Sequence, residues 1–243
     1  MNSIRKKSLI NHSLLSQHGF QLLNNDTYGM NLADQSINVL KNEFNHLVLD
    51  KSPGSRYRAY LKLLWNRKTN NVEIAKDQRY YQSYQANNAD RGIVREFKQV
   101  NKDIFANAAF QQLLEKNKEY ISHSKDISRT NDLILGIHFI RYHVEEGKAA
   151  YSSPIWLHVD DEPLVFVHLI NLSENAIGGD NLIAAHKGEI QGVIRLKNFM
   201  DTLVLNRKVR HAVTPLGSVN GIATRDVILF TVEPIETNQL GNL

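Results

Sequence analysis

Hydrophobic positions along the chain change period at about residue 131. Before that point, Leu32, Ile37, Leu40, Phe44, Leu47 and Val48 recur close to a helical repeat and predict one amphipathic helix over residues 31–50, packed on a sheet. Ile104, Phe105, Ala108, Ala109, Leu113 and Leu114 predict a second helix, over about 102–121. Between them, Ser52-Pro-Gly-Ser55 is turn chemistry, residues 56–65 alternate in part and read as a strand, and 72–75 read as its return after a turn at 68–71. Residues 80–92 are aromatic and polar without a period, as in a loop that covers a site. Residues 1–30 are polar and asparagine-rich, with a short helix and strand over 16–23.

After Asn131 the pattern shortens. Residues 133–144, 155–159, 164–170, 181–184, 189–196, 202–213 and 227–232 are β-like runs separated by Gly, Pro, Asn and Asp. Strands in succession without helices between them imply an antiparallel sandwich or barrel. The expected fold is therefore mainly β with flanking helices (α+β). It forms a single domain over 1–243: an N-terminal extension and helix (1–50), strands, a covering loop and a helix (51–130), and a β core (131–235).

Composition narrows the chemistry. With no cysteine among 243 residues, disulfides, thiolate metal sites and a cysteine nucleophile are excluded, and any metal must rest on His, Asp or Glu. The 29 basic and 25 acidic residues are interspersed, and no basic block exceeds the three residues at positions 5–7, so a nucleic-acid footprint is not expected. No run approaches the ~18 apolar residues of a membrane span, and the expected location is the cytoplasm. The net charge of +4 suits small carboxylate substrates.

The stretch Tyr151-Ser-Ser-Pro-Ile-Trp-Leu-His-Val-Asp-Asp161 carries the chemistry. Read as a strand, it places His158 and Asp160 on one face, roughly 7 Å apart at Cα, able to close on one cation. His211, late in the run from Thr202 to Pro215, is the best third ligand. Two histidines and one carboxylate with open positions beside them is the facial set of non-haem Fe(II) oxygenases. Arg225, on the following strand, has the side chain best shaped to grip an anionic co-substrate through two parallel hydrogen bonds. His138, His143 and His168 also lie on β-like runs and read as core or supporting groups. Asp161 and Glu162 read as solvated or supporting groups rather than extra ligands.

This order of His-X-Asp, distant His and Arg resembles the Fe(II)/2-oxoglutarate-dependent dioxygenases. Ser152-Ser-Pro-Ile-Trp-Leu-His-Val-Asp-Asp-Glu-Pro163, Asn171-Leu-Ser173, Ile177-Gly-Gly-Asp-Asn-Leu-Ile-Ala184 and His211-Ala-Val-Thr-Pro-Leu-Gly217 resemble more closely the bacterial L-isoleucine 4-hydroxylase group. Weaker similarity runs upstream through 133–142, Val94-Arg95 and 56–60, so that the resemblance spans about residues 54–232. It implies a double-stranded β-helix (jelly roll, cupin-like), with Fe(II) on His158, Asp160 and His211 and 2-oxoglutarate as co-substrate on Arg225. The implied reaction hydroxylates a free aliphatic L-amino acid, isoleucine or leucine before methionine or valine, consuming O2 and releasing succinate and CO2. A zwitterionic substrate needs a second cation for its carboxylate, for which Arg141, Tyr142, Arg95 and the Arg56, Arg58 and Tyr60 group are candidates. Trp156 is a candidate wall of the apolar pocket. The alternatives are an oxygenase acting on a protein or peptide side chain, and a non-catalytic cupin-like sensor of small acids. A halogenase is disfavoured because Asp160 is present. Neither a nucleic-acid nor a membrane partner is expected, and an oligomer is left open.

Overall fold

The computed structural model describes residues 12–50, 56–81, 94–128, 131–152 and 154–235, and the turn expected at 52–55 and most of the loop at 80–92 lie outside them. In chain order the elements are α1 (His12–His18), β1 (Phe20–Leu23), α2 (Asn25–Tyr28), α3 (Gln35–Asn42), a 3-10 turn (Glu43–His46), β2 (Val48–Leu49), β3 (Arg56–Asn66), β4 (Asn71–Ile74), β5 (Tyr80–Tyr81), β6 (Val94–Arg95), a second 3-10 turn (Lys102–Ala106) and α4 (Ala108–His123). There follow β7 (Leu133–Glu145), β8 (Leu164–Leu172), β9 (Ala176–Gly178), β10 (Asn181–Ala184), β11 (Ile190–Ile194), β12 (Thr202–Asn206), β13 (Arg210–Val213), β14 (Leu216–Ser218) and β15 (Ile222–Pro234).

One large antiparallel sheet, ordered β1-β12-β8-β15-β7-β3-β2 with β4 beside β3, faces a small sheet ordered β11-β10-β13. Its central strands are almost wholly buried because both faces are covered. On one face α3 and α4 set Ile37, Leu40, Phe110 and Leu113 against Leu61, Phe139, Phe166 and Phe230. On the other face Ile140, Leu169, Leu203 and Val227 pack with Ile183 and Ile194 of the small sheet. This is the double-stranded β-helix expected, with helices bracing one side. The sheet also draws on the N-terminal segment, since β1 pairs with β12 and β3 with β7.

Three elements differ from the periodicity. The helix read over 31–50 is only α3 and one 3-10 turn, so Leu32 and Val48 are exposed. Asp34 starts it late, accepting a hydrogen bond from the Ser36 amide at 2.8 Å. Its C-terminal part is drawn into a β2–β3 pair, where the Asp50 amide donates to the Arg56 carbonyl. The second helix is interrupted at Asn107, whose side chain caps α4 through the Phe110 amide. The single strand read over 202–213 is two strands in different sheets: the Asn206 carboxamide accepts from the Lys208 amide and turns the chain from β12 into β13.

A buried polar chain ties α4 to the helix-facing side of the sheet. Tyr28 donates to Asn117 Oδ1, the Asn117 amide donates to His168 Nε2 at 3.0 Å, and Thr202 Oγ1 donates onward to the Met200 carbonyl. His168 Nδ1, 2.8 Å from Thr202 Oγ1, therefore carries the proton. The ring is fully buried and burial holds it neutral, with its pKa brought down to about 3. The unfolded chain takes up this proton below the ordinary histidine range and the folded chain does not, so the contribution to stability is present above that range and is lost as pH falls. Denaturant unfolding between pH 6.5 and 4 should therefore lose about 1.4 kcal/mol per pH unit from this group, and His168→Gln should flatten the slope. An unchanged slope in the variant would show that His168 titrates in the fold.

Candidate metal centre and co-substrate pocket

The segment carrying His158 is not a strand, contrary to the reading from sequence. Pro154 offers no amide proton for a ladder, and of residues 155–159 only His158 pairs, in an isolated antiparallel bridge with His211. The two residues exchange backbone hydrogen bonds at 3.0 and 2.8 Å, which sets their rings side by side at 4.2 Å between centroids. Asp160 closes the group, with its carboxylate oxygens 3.3 Å from His158 Nε2 and 3.4 Å from His211 Nε2. One ligand atom from each of the three residues lies within 4.8 Å of the others. His158 Nδ1 lies 3.0 Å from the Trp156 carbonyl, which fixes its proton there and turns the Nε2 lone pair toward Asp160.

The electrostatics suit a cation. Burial pushes the Asp160 carboxyl up, but the two imidazoles outweigh it and bring its pKa down to about 2, so the group stays ionised. Burial favours the neutral imidazole of His211, the form that binds metal. For His158 burial acts in the same direction, but the hydrogen bond and charge of Asp160 prevail and raise its pKa.

Arg225 lies on the inner face of β15, 2% exposed, with Nη2 lacking a hydrogen-bond partner. With Tyr142, Ala150, Ser152, Gly179, Val213, Thr214 and Leu216 it lines a narrow pocket. Val213 stands two residues beyond His211 on β13, so the pocket lies next to the triad along that strand. Burial lowers the pKa of Arg225, but a guanidinium remains charged at neutral pH. Gly178 and Gly179 have positive φ, and a Cβ on Gly178 would stand 2.0 Å from the Pro215 carbonyl oxygen. Arg195 braces this turn by donating to the Gly178 and Ala176 carbonyls and to Asp180.

A second cationic group occupies the same inner face. Arg225, Tyr142 and Arg56 form one rung across β15, β7 and β3, followed by Val227, Ile140 and Arg58, then Leu229, His138 and Tyr60. Asp50 pairs with Arg56 at 2.9 Å and Arg95 at 3.0 Å, and stands 3.8 Å from Arg58. Arg58 lies over the Phe97 ring at 4.0 Å and reaches His138 Nδ1 at 2.7 Å. Burial, then Arg56, lowers its pKa to about 10. Tyr80 donates to Glu162, whose carboxyl is pushed up to about 8 by burial and by Asp160.

The structure sorts the remaining candidates. Arg141 faces the helices, where it grips Asp226 through two bonds of 2.7 and 2.8 Å and reaches Asn45. Strand alternation sends it away from Tyr142, so it does not reach the inner pocket. Tyr142 lines the Arg225 pocket instead of the cationic group. Trp156 is 56% exposed, because the two-residue alternation that would have put it beside His158 needs a strand that is absent. Ser152, Gly179 and Thr214 were not singled out from the sequence, although they lie within the motifs that carry the resemblance.

A jelly roll with an inward His-X-Asp and His group beside a buried, unpartnered arginine is the build of a non-haem iron oxygenase that takes an anionic co-substrate. The family model for 2OG-Fe dioxygenase matches residues 41–231, and the chain belongs to that family. It is accordingly an enzyme that uses Fe(II) and 2-oxoglutarate. It is 40% identical over 235 residues to 3(1)-hydroxy-L-isoleucine 4-dioxygenase of Pantoea ananatis (strain AJ13355), covering 91% of this chain and 94% of that one. It is 45% identical over 159 residues to L-isoleucine-4-hydroxylase of Bacillus thuringiensis, covering 65% and 66%. The crystal structure of IDO from Bacillus thuringiensis superposes with a TM-score of 0.83 at 33% identity, covering 96% of this chain and all of that one. Among the described residues no helix is long and apolar enough to cross a membrane.

Removing the carboxylate should dismantle the centre. For Asp160→Ala, calorimetric titration of the apoprotein with Fe(II) under anaerobic conditions should show affinity falling by more than the roughly 10–100-fold that follows loss of an outer-shell partner. Near-normal iron affinity would remove Asp160 from the site.

Proposed function

We propose that this enzyme hydroxylates a free aliphatic L-amino acid, isoleucine or leucine before methionine or valine, with Fe(II) on His158, Asp160 and His211 and the distal carboxylate of 2-oxoglutarate on Arg225. The observation that carries the reading is the pairing of two separate cationic sites, Arg225 near the triad on β15 and, two strands across the same inner face on β3, Arg56 and Arg58, joined by Arg95 through Asp50. Two carboxylate ligands fit two such sites. The isoleucine hydroxylases to which the chain is similar support the choice of side chain.

When bound, Fe(II) with 2-oxoglutarate activates O2 so that one oxygen atom enters an aliphatic C–H bond while the keto acid becomes succinate and CO2. The residues of the chain hold and orient. His158, Asp160 and His211 would hold the metal, each through one ligand atom. The guanidinium of Arg225 takes the far end of the co-substrate, assisted by the hydroxyls of Tyr142, Ser152 and Thr214 that line its pocket. Arg58 and Arg95, with Tyr60 behind them, receive the amino-acid carboxylate, and the half-buried aromatic walls of Phe97 and Tyr80 limit the access of water. Fe(II) and 2-oxoglutarate are supplied by a reducing cell interior, and the cytoplasm is the proposed location.

Arg225→Ala should weaken 2-oxoglutarate by about 100-fold or more, the scale of breaking one buried ion pair. Arg225→Lys should rescue little, since an ammonium cannot make the paired contact. Anaerobic titration followed by the visible band of the iron–keto acid chelate measures both, and an unchanged affinity would place the co-substrate elsewhere.

Substrate choice is read from succinate and hydroxylated product with L-isoleucine, L-leucine, their methyl esters and a leucine-containing tripeptide. Discrimination among aliphatic side chains should be soft, about 1–3 kcal/mol per methylene. Esterification should cost more, because it leaves a buried guanidinium unmatched. Preference for the tripeptide, or indifference to esterification, would overturn the free-amino-acid reading.

A further inference from the structure

His138 is fully buried at the centre of β7, on the inner face that carries Tyr142 and Arg225. Its ring stacks on Tyr60 at 4.4 Å and meets Tyr80 and Phe97 edge-on. The 2.7 Å contact from Arg58 Nη2 settles its tautomer: a guanidinium can only donate, so His138 Nδ1 must accept. The ring proton then lies on Nε2. Among the described residues that Nε2 is a buried donor without a hydrogen-bond partner, as are Nε of Arg58 and Nη2 of Arg56. Unmatched donors in one buried cluster are costly unless something supplies acceptors. Asp50 pairs with Arg56 and Arg95 and stands 3.8 Å from Arg58, the guanidinium that bonds His138.

We propose that His138 is a substrate-binding residue, held by Arg58 as the neutral Nε2–H tautomer so that it and Arg58 together donate to the α-carboxylate of the amino acid. This rests on the function proposed above and adds a group that the sequence assigned to the core. A neutral donor beside a cation has a specific use. Arg58 supplies charge, which any anion satisfies, whereas the imidazole N–H supplies direction and selects a planar carboxylate at one angle. A second carboxylate on the inner face, Glu162, is kept from this role by its place beside Asp160 and Tyr80.

The test compares His138→Phe, which keeps the ring stack and removes the donor, with His138→Gln, whose oxygen can accept from Arg58 while its amide donates. In the iron- and 2-oxoglutarate-loaded enzyme under nitrogen, binding of L-isoleucine and of its carboxamide is measured by calorimetry. Wild type should prefer the acid, and His138→Phe should lose about tenfold of that preference. His138→Gln should retain most of it, and 2-oxoglutarate affinity should stay the same in all three. An undiminished preference in His138→Phe would overturn the role of His138. A wild type that binds neither ligand would instead overturn the amino-acid reading. A readout that needs no variant is 15N NMR of the diamagnetic Zn(II)-substituted protein. The Nε2–H resonance of His138 should be present without substrate and should shift on addition of L-isoleucine. A proton on Nδ1, or no shift at saturation, would equally sink the proposal.

Discussion

Burying a guanidinium without its own carboxylate is the costly constraint around which this fold is arranged. Most buried charges here are matched inside the chain: Arg141 has Asp226 and Arg56 has Asp50. Among the described residues Arg225, Arg58 and Arg56 each keep a buried nitrogen without a hydrogen-bond partner on the same inner face, although Asp50 lies 2.9 Å from Arg56. A sheet covered on both sides is what makes this tolerable, because apolar packing by α3 and α4 on one face and the small sheet on the other supplies stability far from the unmatched groups. In the proposed function, the two acids would complete the pairing that the chain leaves open.

The triad shows a related economy. His158 and His211 come from segments about fifty residues apart, and one reciprocal pair of backbone bonds brings them together without a regular strand on the His158 side. Pro154 frees that segment from the sheet, so Asp160 can turn inward between the two imidazoles.

Sequence periodicity revealed the sheet strands well, because a strand buried on both faces is apolar for most of its length, as in β7, β8 and β15. It overextended the first helix because Asp34 and Asp50 act through capping and ion pairing, which a hydrophobic repeat does not register. It merged β12 with β13 because the turn between them rests on one asparagine side chain. The spacing of His158, Asp160 and His211 picked out three side chains that the structure brings together, by an incomplete argument, since their convergence depends on a bridge rather than on strand alternation. Arg141 and Tyr142 were indistinguishable as adjacent letters, and only the register of β7 separates the one facing the helices from the one facing the pocket. His138 could be read no further than as a core or supporting group, because its contact is with Arg58, eighty positions away.

The rung pattern across β15, β7 and β3 has an evolutionary corollary. The groups that would meet the two acids stand on successive rungs of one face, so the spacing between them is counted in pairs of residues along each strand. A single inserted residue in β7 would not lengthen the cavity slightly. It would exchange Tyr142 and His138 for Arg141 and Ile137 and turn the binding face inside out. Relatives that accept longer or shorter substrates are therefore expected to differ in side-chain size at fixed rungs, or in the loops at the strand ends, while the strand lengths between the anchors stay constant.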